Sequence, residues 1–134
     1  MTNQIKTLTL NFLQWFDTLS TASPISLADV SKFIAPDICF YLNGKLLAEG
    51  IDAYLQRLAM LFTHIKQLHI HFPVENLVAA NNCSAVNYLE TIIHKDGTVS
   101  LMVNGMFLHF DENGKISKIF DVFNGSDPVV AHRQ

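Results

Sequence analysis

Two acidic residues stand where the surrounding pattern calls for apolar ones. In the run 84–94, Val86, Tyr88, Glu90 and Ile92 alternate with their neighbours, so in a strand they share one face. Near the C-terminus Ile119, Asp121 and Phe123 share a face in the same way. If both faces line the concave side of one sheet, two carboxyls converge in an apolar cavity. Two carboxyls in a dry site do not easily both ionise, and their acidities are pushed apart into one base and one acid near neutral pH. Such a pair, Asp121 with Glu90, could activate water or move a proton on a small hydrophobic substrate. Asn104, between Met102 and Met106, would add an amide to the same lining. Other readings stay open. Glu90 could be exposed or paired with Lys66 or Lys118, Asp121 could cap loop amides, and Tyr88 could be a core aromatic with a wet hydroxyl.

The histidines and cysteines point elsewhere. His69-Ile-His71 places two imidazoles on one strand face at a spacing a metal tolerates. No acidic or cysteine partner stands at an expected offset, so surface or interface histidines are expected and no metal is implied. Cys39 and Cys83 lie far apart, in apolar surroundings and without C-x-x-C spacing, which reads as reduced, buried thiols in a cytoplasmic protein.

The elements that must position these residues follow from periodicity. Ile5, Leu8, Phe12, Trp15, Phe16 and Leu19 recur at helical spacing, giving a first helix over residues 4–19 with Trp15 turned toward the pocket. Ser26, with Asp29 three residues on, opens a short second helix that ends near Ala35-Pro36. An apolar run over 38–43 closes at Gly44. Ile51, Tyr54, Leu55, Leu58, Leu61, Phe62 and Ile65 then form the longest apolar stripe of the chain. Strands follow over 67–79 (split near Pro73), 84–94, 99–110 and 116–124, with hairpin turns at Asp96-Gly97 and Asn113-Gly114. Helices first and a meander afterwards predict an α+β domain over residues 1–124, with a loose tail over 125–134. In it three N-terminal helices pack in the concave face of a curved antiparallel meander sheet, a cone with an apolar pocket.

The composition fits a pocket or an interface. Of 134 residues 49% are hydrophobic, ten are Phe and only 16% are charged, which is more apolar surface than an ordinary core hides. A net charge of −3 leaves no basic footprint, so nucleic acid is not an expected partner. No run reaches the 18–20 apolar residues of a membrane span, and the N-terminus does not read as a signal peptide. Val99, Leu101, Val103, Phe107 and His109, opposite Asn104, make a face too apolar for open solvent, and a homodimer through that convex face is expected.

This order of elements resembles the nuclear-transport-factor-2-like, or SnoaL-like, family, which includes ketosteroid isomerase and limonene-epoxide hydrolase. The resemblance spans residues 5–124. It is carried by Gly50-Ile-Asp-Ala-Tyr54 before the long helix and by the hairpin from Gly105 to Asn124 with its Asn113-Gly114-Lys115-Ile116 turn and Asp121. It implies a cone-shaped pocket for a small apolar molecule and no cofactor. The isomerase base corresponds to Leu42 and its oxyanion acid to Met106, and neither side chain can exchange a proton. The hydrolase pattern implies Tyr41 and Asn43 as holders of the attacking water, and Glu90 and Asp121 as its two acids. Tyr88 stands where that pattern has its bridging arginine. The function implied is a carboxyl-pair hydrolase, isomerase or cyclase of the SnoaL-like type. The alternative is a non-catalytic ligand-binding or dimerisation module of the same fold.

Overall fold

The structure, a computed structural model, describes residues 2–21 and 24–123. The tail expected over 125–134 lies outside the described residues. Helix α1 (Thr2–Asp17) is followed by a 3-10 turn at Leu19–Thr21 and a single helical turn, α2 (Leu27–Val30). Then come strands β1 (Ile34–Leu42) and β2 (Lys45–Glu49), helix α3 (Ile51–His64), and strands β3 (Ile65–Ile70), β4 (Asn76–Ala80), β5 (Cys83–His94), β6 (Val99–Phe110) and β7 (Ile116–Phe123). The strands form one curled sheet in the order β2-β1-β7-β6-β5-β3, with β4 pairing beside β3 on β5. All neighbours are antiparallel except β1 and β7, so the sheet is mixed rather than a pure meander.

The α+β reading and its three helices hold. Two differences have local causes. Ser26 caps α2 as expected, its side chain accepting from the Asp29 amide at 3.1 Å. The helix nevertheless stops at Val30, because Ile34, Ala35 and Ile38 are buried in β1. Pro36 sits inside that strand, where the pairing with β7 slips between Ile34 and Cys39 and no ladder donor is required. Strand β2 was missed although Asn43-Gly44 signals it: both residues have positive φ (49° and 85°), and they join Leu42 to Lys45 as a two-residue hairpin. Gly50 then turns the chain at φ 91° into α3, its N–H donating to the Ile38 carbonyl at 2.7 Å.

The core lies between the helices and the concave sheet face, around Phe12, Leu13, Leu58, Ile65, Leu108 and Ile119. Polar ties fix α1 to that face. The Asp17 carboxylate accepts from the Ile70 amide at 2.7 Å. Thr9 and Ser84, both buried, share a hydrogen bond of 2.7 Å between α1 and β5. Thr9→Val would strand the Ser84 hydroxyl in the core and should cost about 1–3 kcal/mol in denaturant unfolding. Adding Ser84→Ala should return most of that loss, since both unpaired polar groups are then gone.

Candidate functional site

The sheet alternates strictly where it curls over α3, and its inward residues close on a cavity of about 70 Å³. Phe40 and Leu42 reach it from β1, Tyr88, Glu90 and Ile92 from β5, Asn104 and Met106 from β6, and Ile119, Asp121 and Phe123 from β7. Tyr54, Arg57, Leu58 and Leu61 face it from α3, with Phe16 from α1 and Leu68 from β3. Register explains the convergence. Tyr88 lies directly opposite Asn104, and Asp121 is flanked by Met106 on one side and Leu42 on the other.

The polar groups in this wall form one cluster. Asn104 Nδ2 donates to the Tyr88 hydroxyl at 3.0 Å, and the same amide acts on the carboxyls of Glu90 and Asp121, favouring the charged form of each. Burial pushes Glu90 up to about 7, offset in part by Asn104. Burial also drives Asp121 well above the carboxylate range. The Glu90 charge adds to that rise, while Asn104, Arg57 and the Val122 amide oppose it. Tyr54 and Tyr88 are shifted upward, first by burial and then by the Asp121 charge, so both keep their phenolic protons. Two acceptors in the cluster, Asn104 Oδ1 and Asp121 Oδ1, are sealed from solvent and have no hydrogen-bond partner.

The expected residues divide by strand parity. Asp121, Glu90, Tyr88, Asn104, Met106 and Phe123 all line the cavity. Glu90 at 5% exposure is not an exposed strand residue, and Tyr88 at 1% has no wet hydroxyl. Tyr41 and Asn43 do not reach the cavity. Leu42 takes the inward position between them, and Tyr41 stacks on Phe120 across the outer face at 4.7 Å between ring centroids. Asn43 is a turn residue whose N–H donates to the Asp121 carbonyl and whose Oδ1 accepts from the Phe123 amide, so it braces β7 from outside. Met102 shares the inward face and packs on the core cluster beyond the cavity wall. Trp15 turns away, stacked on Phe33 at 4.9 Å and lining a separate surface hollow beside α2.

Two cavity residues were not anticipated, Tyr54 as a polar neighbour of Asp121 and Arg57 as its cation. The signal was present. Arg57 lies three residues after Tyr54 and four before Leu61, on the edge of the apolar stripe of α3. Cys39 and Cys83 are free but only half-buried, because both face outward. Cys83 Sγ sits 3.5 Å from His109 Nδ1. His69 is exposed and bonds the Asp17 carboxylate at 3.2 Å. Among the described residues no cluster of three His, Cys, Asp or Glu side chains is placed to hold a metal, and no helix is long and apolar enough to cross a membrane.

This wall belongs to a recurrent architecture. A structure described as an NTF2-like protein of unknown function, from Exiguobacterium, superimposes with a TM-score of 0.75 at 21% identity, covering 89% of this chain and 99% of that one. The chain has the nuclear-transport-factor-2-like fold. A SnoaL-like protein from Jannaschia, assigned as a polyketide cyclase, matches this fold at TM-score 0.73 and 15% identity over 99% of this chain and 91% of its own. An LEH-like epoxide hydrolase of M. tuberculosis matches at 0.73 and 12%, over 92% and 84%. No protein-family model and no curated protein matches the sequence.

The buried carboxyls make stability depend on pH in a definite direction. Glu90 is raised from 4.5 to about 7 on folding, so its contribution is complete at low pH and lost as pH climbs through that window. The window is worth on the order of 3 kcal/mol. Glu90→Gln removes the effect, so its melting temperature relative to wild type should rise steadily from pH 5 to about pH 7.5. Asp121→Asn should gain in the same direction and continue to higher pH. A difference that stays flat across that range would show that the carboxyls are solvated in the folded protein.

Proposed function

We propose that this cavity performs acid–base chemistry on a small apolar molecule, with Glu90 as the base and Asp121 as the acid. The observation that carries this reading is the shared burial of two carboxyls against one amide and one phenol in an apolar wall. Glu90 at about 7 is divided between charged and neutral forms at physiological pH, which is where a general base works best. Once Glu90 is ionised its charge raises Asp121 further, so the second proton stays in place and remains available for donation. The carboxylate takes a proton from substrate carbon or from water. The Asp121 O–H returns one to the oxygen where negative charge develops, beside the Tyr88 hydroxyl held by Asn104. Cyclase and epoxide-hydrolase neighbours on this fold are in keeping with proton chemistry, although at 12–15% identity they speak for the fold alone.

The test is a panel of small epoxides, lactones and hydroxy ketones followed by NMR in deuterated buffer, which detects both hydration and deuterium incorporation at carbon. Turnover of one class is expected, with kcat/KM rising through a midpoint near pH 7 as Glu90 ionises. Glu90→Gln and Asp121→Asn should each lower it by about 100-fold or more. An inert panel, with ligands that still raise the melting temperature, would replace the enzyme by a binding module.

We further propose that two copies pair through the convex face. Val99, Leu101, Val103 and Phe107 of β6 and Val122 of β7 are each 52–64% exposed there, beside the flat backbone of Gly105. Exposed apolar side chains gathered on one face of neighbouring strands are a common mark of an interaction surface. Leu101→Lys combined with Val103→Asp should convert a dimer to a monomer in light scattering, and a wild type that already elutes as a monomer would refute the pairing.

A further inference from the structure

We propose that Phe16 sets the size of the molecule this cavity accepts and holds it to about four heavy atoms or fewer, less than one six-membered ring. The inference rests on the reading that the cavity is the functional site, and adds a substrate size and the residue that determines it. A volume of about 70 Å³ is less than half of the roughly 150 Å³ in which an apolar cavity holds benzene. It is also far below the roughly 300–1,000 Å³ of a pocket for a drug-sized molecule. A ring has no room beside the polar cluster, whatever hydrogen bonds it could make there.

Most of the wall is fixed. Tyr54, Leu58, Tyr88, Asn104, Met106 and Ile119 are each at most 6% exposed, on the core side of α3 or on strands paired along both edges. Phe40 and Phe123 also stand on paired strands, and Phe40 is set edge-on against Tyr54 at 5.7 Å between centroids. The helix side is different. Among the described residues no main-chain hydrogen bond joins α1 to α3, and the rings of Phe16 and Phe62 meet across the seam at 6.4 Å. Phe16 is half-buried and is the one cavity-lining residue that α1 contributes among those described. Phe12, fully buried, packs on Phe16 at 6.0 Å, so apolar backing remains when the Phe16 ring is taken away. Phe16→Ala removes a group the size of benzene itself, and the enlarged space should admit a six-membered ring.

The experiment follows the methyl resonances of protein labelled with carbon-13 methionine at pH 7. Met106 on the cavity wall is the reporter, and Met102 beyond the wall is the internal control. Two pairs of probes differ in size and, within each pair, in hydrogen-bonding sense: propan-2-ol with acetone, and cyclohexanol with cyclohexanone. Both small probes should shift Met106 in the wild type, and neither ring should. In Phe16→Ala both rings should bind at least about tenfold more tightly than in the wild type, the effect of burying two or more further methylene groups. Phe16→Leu keeps an apolar side chain against Phe62 and should give a smaller gain, so the comparison does not depend on the stability of Phe16→Ala alone. Phe33→Ala disturbs the same aromatic cluster through Trp15 without lining the cavity, and should leave the size limit where it is. Wild-type protein that binds the rings as tightly as Phe16→Ala would overturn the proposal. So would rings still excluded from both Phe16 variants, an equal opening by Phe33→Ala, or small probes that leave Met106 unmoved. The readout is binding, so the acid–base reading and this one fail separately. The size limit should persist in Glu90→Gln, and a protein without turnover that keeps the limit retains the proposal. An active enzyme whose limit does not move in the Phe16 variants does not.

Discussion

A carboxylate shut away from water loses several kcal/mol of hydration unless hydrogen bonds or a counter-charge replace it, and here two such groups share one wall. Glu90 and Asp121 face the same apolar cavity, so each disfavours the charge of the other. The fold answers with a short set of polar groups. Asn104 donates to Tyr88 and favours the charged form of both acids, and the charge of Arg57 favours that of Asp121. These offset the penalty only in part, since both carboxyls stay raised. The unpaired Oδ1 atoms show the same incompleteness in geometric form. A wall selected for stability alone would have apolar residues at 90 and 121, as it has at Ile92 and Ile119.

That arrangement depends on the curl of the sheet. Placing β1 parallel to β7 brings Leu42 beside Asp121 and closes one side of the cavity. Asn43 then ties the turn back to β7 through the Asp121 carbonyl and the Phe123 amide. The backbone on both sides of Asp121 is thereby fixed by a residue that never enters the pocket. From the other side Thr9 and Asp17 hold α1 on β5 and β3, so that Phe16 reaches the cavity and closes it. The positions of the acids are therefore set by hydrogen bonds in the outer turns and helix contacts as much as by the strands that bear them.

Much of this was legible because strand parity is unforgiving. Once residues 84–94 and 116–124 read as strands, Glu90 had to share a face with Tyr88, and Asp121 with Ile119. The turns at Asp96-Gly97 and Asn113-Gly114 then fixed which strands were neighbours, and the structure keeps both. Tyr41 and Asn43 fall outside the cavity for the same reason that Glu90 and Asp121 fall inside it. They were placed by resemblance rather than by parity, and Leu42 takes the inward position. The hairpin at Asn43-Gly44 was readable and would have corrected them, because a residue at φ 49° in a two-residue turn is no longer part of a strand face. What no local pattern could show is the depth to which α3 carries Arg57, since that depends on how a helix seats in a sheet many residues away.

Arg57 also bears on what the site is for. The epoxide-hydrolase pattern suggested an arginine on the strand at 88, where this chain has tyrosine, and a phenol cannot hold two carboxylates in the charged state. The structure brings a cation into the cavity from the helix instead. From there its charge acts on Asp121 and is not among the influences that set Glu90. A cation centred between the two acids would lower both and leave two carboxylates, suited to gripping water or a positive ligand. A cation acting on Asp121 alone leaves the pair unequal. An unequal pair has the two protonation states that giving one proton and taking another within a single cavity requires.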